Sequence, residues 1–227
     1  MTQMSADLAK LLGAASRDLA DDSVDRAALP PGPLGDQLAR TLGERNGFFA
    51  FESALLLRPL GSSLRTAALG LTTWNAADTW KTTYHGRSFG DVTFFAEDLF
   101  GGQFGITSDA IVSLNPEVGE LEHFAGSIDE WATRILDDYD VLTGYPLAHE
   151  WQRLHGPLAP GTRLVPRQPF TVGGEFEVAN LVAVAEVKAM RIYGGIATTL
   201  AGVPDGSEVT FRIENSGAGS DAHRGEG

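Results

Sequence analysis

Four short runs rich in β-branched and aromatic residues, 92–96, 103–107, 110–114 and 121–125, follow one another with only turn formers between them. The turns are Gly101-Gly102, Ser108-Asp109 and Asn115-Pro116-Glu117-Val118-Gly119. Gaps that short leave no room for the crossover a parallel pair needs, so the spacing predicts an antiparallel meander. Directly after it, Ser127-Ile128-Asp129-Glu130 reads as a capping box, in which serine and glutamate each satisfy a free backbone donor. Ile128, Trp131, Ala132, Ile135, Leu136 and Tyr139 then fall on one helical face, and a lone helix of this kind buries such a face against a sheet.

The flanking sequence supplies more helix. Leu8, Leu12, Ala15 and Leu19 recur at helical steps, which predicts a helix over 5–22. Pro30-Pro31-Gly32-Pro33 must interrupt it, and a second helix is expected over 34–45, stopping at Asn46-Gly47. A short helical stretch is expected to run from Trp74-Asn75 to Tyr84, with the sheet beginning after it. Another covers 147–154, residues 157–169 read as a long irregular connection, and 186–201 reads as a helix weakened by Gly194-Gly195. Val209, Phe211 and Ile213 alternate as in a strand, and the glycine, serine and charge of 215–227 predict a disordered tail. The expectation is a single α+β domain over 1–214, with a mixed, mostly antiparallel sheet flanked by helices.

The chain has no cysteine, which excludes disulfide frameworks, thiolate zinc sites, iron–sulfur clusters and cysteine nucleophiles, and which fits the cytoplasm. The first twelve residues carry one cation, Lys10, and no continuous apolar run, so they do not read as a signal peptide. The densest apolar stretch, 48–57, is too short to span a bilayer and holds Glu52 at its middle. Acidic residues number 30 against 17 basic, a formal charge of −13. That field repels nucleic acid and anionic membrane and draws in basic partners, though acidity also serves plain solubility.

No assembled catalytic motif is present. His149 and His155 lie six residues apart. On a helix their rings diverge by roughly 120°, whereas a shared zinc ion needs a spacing of four. Gly101-Gly102 and Gly173-Gly174 lack the Gly-Lys-Ser/Thr ending of a phosphate cradle and read as turns. Glu97 and Asp98 are neighbours on a strand, so they face opposite ways and form no acid–base pair with each other. An enzyme would need distant groups to converge, Glu97 with His123 for example. Trp131 belongs to the core. Trp74 and Trp80 flank the polar stretch 75–79 and, with Tyr84, are either structural or partly exposed. On the second reading Trp74, Trp80, Tyr84, Glu97 and Asp98 are the candidate partner-binding residues. No catalytic residue, metal or cofactor is expected.

Several segments resemble the SUKH superfamily, which includes the Syd protein and the fungal Smi/Knr regulators. They are the helical approach 33–45 with Asn46-Gly47-Phe48-Phe49, the stretch 94–106 from Phe94-Phe95 to Gly105-Ile106, the turn 115–120 and the helix bearing Trp131. The likeness covers about residues 30–140 and leaves 141–214 as an extension. It implies an α+β fold with a mixed sheet between helices. In bacteria it implies an immunity protein that neutralises a secreted toxin, many such toxins being nucleases. A nuclease must itself be basic, so an acidic inhibitor fits it. The expected partner is thus a basic toxin domain; the alternatives are a scaffold adaptor of the Smi/Knr kind and a cryptic hydrolase.

Overall fold

The computed structural model describes residues 4–203. The expected strand around Phe211 and the tail 215–227 lie outside them. In chain order the elements are α1 (Ala6–Ala14), α2 (Pro33–Glu44), β1 (Phe48–Ala50), β2 (Leu55–Leu57), α3 (Leu71–Asn75), β3 (Thr93–Glu97), β4 (Gln103–Ile106), β5 (Ile111–Asn115) and β6 (Glu120–Ala125). Then come α4 (Ile128–Asp137), α5 (Tyr139–Thr143), α6 (Tyr145–His155), β7 (Thr162–Pro166), β8 (Leu181–Ala185) and α7 (Glu186–Ala201). Strands β1 to β6 form one six-stranded sheet in sequential order, and β7 pairs with β8 in a second sheet. Every pairing is antiparallel. The fold is therefore α+β, as the meander and its following helix predicted.

The main sheet is covered on both faces, which is why its central strands read as apolar runs rather than alternating ones. Leu8 and Leu11 of α1, Leu38 and Leu42 of α2, and Trp131 and Ile135 of α4 pack on one face with Phe48, Leu57, Phe95 and Phe104. On the other, Trp74, Trp80, Tyr84 and Phe94 pack with Val165 of β7 and Ala189, Met190 and Tyr193 of α7. The pairing of β3 with β4 shifts register between Phe94 and Ala96. That bulge turns Phe94 toward one core while Phe95 and Ala96 both serve the other.

Four expectations need correction. The helical stretch expected toward Tyr84 is broken, because α3 ends at Asn75 and only one tight helical turn, Lys81–Thr83, follows. Helix α1 ends at Ala14, not at residue 22, because the next residues bond elsewhere: the Ser16 N–H donates to the Phe49 carbonyl and the Leu19 N–H to that of Asn46. The carboxylates of Asp18 and Asp22 accept from the Asn46 N–H and from the N–H groups of Ser62 and Ser63. Segment 15–22 thus lines the β1 edge instead of extending the helix. The sheet begins at Phe48, far before residue 92, with two three-residue strands joined through Phe51, Glu52 and Ser53, all at positive φ. The connection 157–169 holds strand β7; its Pro166 is tolerated as the last residue of a strand in a two-stranded sheet.

The capping box of α4 forms with one substitution of partner. Ser127 Oγ accepts from the Glu130 N–H at 3.0 Å, while the Glu130 carboxylate accepts from the N–H of Gly126 at 2.9 Å. Replacing the cap leaves the Glu130 N–H without its acceptor at the start of the helix that seals one core. Ser127→Ala is expected to destabilise the fold by about 1 kcal/mol, measured as a shift of the urea midpoint at unchanged slope.

Candidate functional site

The structure places the aromatic candidates in the core, which corrects the reading of Trp74, Trp80 and Tyr84 as contact residues. All three are buried and form a continuous cluster with Phe89 and Phe94. Trp80 sits 5.5 Å from Trp74 and 5.3 Å from Phe94, centroid to centroid. Each polar handle finds an internal acceptor. Trp74 Nε1 donates to Gln103 Oε1, Trp80 Nε1 to the Trp74 carbonyl, and the Tyr84 hydroxyl to the Pro116 carbonyl. With those bonds made inside, the rings have no need of solvent, whatever the polarity of residues 75–79.

Glu97 is likewise internal and is the centre of a buried charge cluster. Its carboxylate meets Arg58 at 2.7 Å and Arg163 at 2.6 Å, and Arg58 also meets Glu186 at 3.1 Å. The Gln103 amide donates to Glu97 Oε2, Leu69 N–H donates to Glu186 Oε1, and the Arg58 guanidinium lies 3.5 Å from the centre of the Trp74 ring. Two positive and two negative charges thus balance where water does not reach. Burial pushes the Glu97 carboxyl up, but Arg163 and Arg58, helped by Gln103, outweigh it and hold the group below the ordinary glutamate value. Its contribution to stability is present above that ordinary value and is lost as pH falls through the depressed one.

Asp98, one residue on, lies just past the end of β3, in the turn that leads to β4. Its Oδ1 accepts from the N–H groups of Phe100 and Gly102, both at 2.8 Å, while Oδ2 accepts no hydrogen bond from the described residues. A Cβ at Gly102 would lie 2.3 Å from that Oδ2, so only glycine leaves the carboxylate its place. Burial pushes the Asp98 carboxyl up to about 7; the Gly102 and Phe100 N–H groups oppose the rise, the Glu97 charge adds to it, and Arg163 opposes it.

Asp98 opens onto a cleft of about 320 Å³. Gly102 and Tyr193 line it with Asp98; Phe100, Phe170, Thr171 and Phe176 form one side, and Ser113 to Glu117 with Glu122 the other. Among the described residues three carboxylates and no lysine or arginine line it. Phe176 is 66% exposed. It stacks on Phe170 with centroids 4.0 Å apart and planes 4° apart, and Phe100 meets Phe170 edge-on at 5.2 Å. The loop that carries them is pinned by main-chain bonds. Glu117 accepts from the N–H groups of Phe170 and Thr171 and from the Thr171 hydroxyl, and the Asn180 amide donates to the carbonyls of Gln168 and Glu175.

Of the residues singled out in the sequence, only Asp98 reaches this cleft. Phe100, Phe170, Phe176, Glu117 and Glu122 were missed. The one available signal was an aromatic between charges after a glycine pair, Gly173-Gly174-Glu175-Phe176-Glu177, where a turn exposes an apolar ring. Glu97 and His123 do not converge: the first is buried on β3, the second exposed on β6, with β4 and β5 between. His149 instead pairs with Glu52 at 3.0 Å, and His155 packs on Trp151. Among the described residues no group of three or more His, Asp or Glu side chains is placed to hold a metal ion, and no helix is long and apolar enough to cross a membrane.

No protein-family model and no curated protein matches the chain. Among solved structures, the crystal structure of Atu4351 from Agrobacterium tumefaciens is similar, with 12% identity and a TM-score of 0.47 over 86% of this chain and 82% of that one.

Two substitutions separate the inward carboxylate from the outward one. Glu97→Gln leaves two buried guanidinium groups facing one remaining carboxylate and is expected to cost about 3–5 kcal/mol, read from denaturant unfolding at neutral pH. Asp98→Asn has the opposite sign. An unfolded aspartate titrates near 3.9, so between about pH 4 and 7 the fold holds a proton that the unfolded chain has released, and stability falls as pH climbs. The asparagine keeps the Oδ1 acceptor and lacks that slope. The variant is expected to be the more stable by roughly 2 kcal/mol near pH 8, with the gap closing toward about pH 4.

Proposed function

We propose that the chain is a non-enzymatic protein-binding domain, an acidic immunity-type protein of the SUKH kind that neutralises a basic toxin. The observation that carries this reading is the cleft. Among the described residues its walls combine carboxylates, no basic side chain and an exposed aromatic ring on a pinned loop. Aromatic anchors dominate interface energies, and a preformed loop loses little entropy on docking. The formal charge of −13 supports the same partner, because it accelerates encounter with a positive surface and disfavours nucleic acid. The sequence likeness over about residues 30–140 is what turns the acidity toward a toxin.

One observation favours a second reading, acid–base hydrolysis. A carboxyl raised to about 7 in an aromatic-lined cleft is suited to general acid catalysis. The binding reading is preferred because Glu117, one of the two further carboxylates lining the cleft, is already engaged by three donors of the Phe170 loop, and the other, Glu122, is exposed on β6.

The test is a stopped-flow and inhibition assay with the basic domain encoded beside this gene. A complex that abolishes the domain's toxicity is expected, with an on-rate that falls about tenfold as salt rises from about 50 to about 500 mM. No association at low salt, or turnover of a substrate that Asp98→Asn abolishes, overturns the proposal.

A further inference from the structure

We infer that the cleft between the Phe170–Phe176 loop and the β5–β6 turn is a socket for a single arginine side chain projecting from the protein partner. The inference rests on the protein-binding reading for the source of that arginine, while the chemistry of the socket stands on the cleft itself.

Three features converge on a planar cation. The first is the aromatic wall. Phe170 covers one face of Phe176, so the ring's other face is the one available, and with 66% of the residue exposed a flat group can lie against it. Guanidinium stacks on such a face, whereas an ammonium meets it as a point charge. The second is the unused acceptor. Asp98 Oδ2 has no donor among the described residues, although the same carboxylate's other oxygen holds two. A guanidinium fork supplies donors in the geometry a carboxylate accepts. The third is the sign of the surroundings. Asp98, Glu117 and Glu122 line the cleft with no compensating cation among the described residues. Arg163, a cation whose charge reaches Asp98, is itself engaged by Glu97.

The same arrangement makes binding depend on pH. The charged and titratable groups around Asp98 are Glu97 on its own strand, Arg163 from β7, Glu117 from the β5–β6 turn, Glu122 from β6 and Tyr193 from α7. Burial raises the Tyr193 hydroxyl well above the ordinary tyrosine value, so it stays neutral. With Asp98 losing its proton near 7, an incoming cation meets a stronger acceptor above that pH than below it.

The experiment titrates the isotope-labelled full chain with Nα-acetyl-arginine methylamide, following ring and amide resonances of residues 170–176. The lysine counterpart and the citrulline counterpart, which has arginine's shape without its charge, run in parallel. Saturable shifts centred on Phe176 and Thr171 are expected with arginine, weaker binding with lysine, and binding at least about tenfold weaker with citrulline. Arginine affinity is expected to rise several-fold from about pH 6 to about pH 8. Phe176→Ala and Asp98→Asn should each weaken it about tenfold, with spectra elsewhere unchanged. Equal binding of citrulline, shifts centred outside the cleft, or affinity unmoved by both variants overturns the socket. If the arginine probe binds as described and no basic protein does, the protein-binding reading fails and the socket stands. If a toxin domain binds Phe176→Ala as tightly as the wild type, the socket fails and the protein-binding reading stands.

Discussion

A carboxylate with no access to water has to be matched by charge, and at Glu97 the matching is what joins the molecule together. Its two arginines come from well-separated parts of the chain: Arg58 just after β2, Arg163 from β7. Arg58 in turn reaches Glu186 at the start of α7. These contacts tie the second sheet and the last helix to the main sheet through ions that have no solvated alternative while the fold is closed. Apolar packing of Val165, Met190 and Tyr193 over Trp74 and Trp80 fills the same interface, but hydrophobic contact is tolerant of sliding. Fixed ion geometry is not, and a buried pair of this sort is better understood as a device for register than as a source of stability.

The cluster also sets up the cleft. The consecutive carboxylates Glu97 and Asp98 have contrasting surroundings: one is held charged by two guanidiniums, the other kept partly protonated by burial next to that negative neighbour.

Much of the fold was legible because its information is local. The four meander strands, the Ser127 cap and the 186–201 helix each carry their own signal of spacing, turn chemistry or periodicity. The parts that escaped depend on remote partners. Strands β1 and β2 sit in one apolar run, 48–57, and only the pairing of Leu56 and Leu57 with Glu97 and Ala96 makes it a hairpin inside a sheet. The helix expected to reach residue 22 stops early because Asp18 and Asp22 cap backbone far along the chain, around Asn46 and Ser62. For Trp74 and Trp80 the sequence left a partly exposed reading open because their polar neighbours are on the surface; the acceptors that draw the indoles inward lie on β4 and within the cluster itself. The cleft was least legible of all, since its walls are assembled from the β3–β4 turn, β5, the β5–β6 turn, β6, the Phe170 loop and α7. Asp98 was found, and the rings opposite it left only a faint mark.

The way the Phe170 loop is held has an evolutionary consequence. Glu117 and Asn180 grip it mostly through peptide N–H and carbonyl groups, which are the same whatever side chain is attached. Gly173 supplies the left-handed turn, and the side chains of Glu175, Phe176 and Glu177 point outward from that frame. Mutation can therefore rewrite the tip of the loop without loosening its attachment or disturbing the ions beneath. A lineage under pressure to match a changing adversary would find here a place where specificity drifts at little penalty to folding.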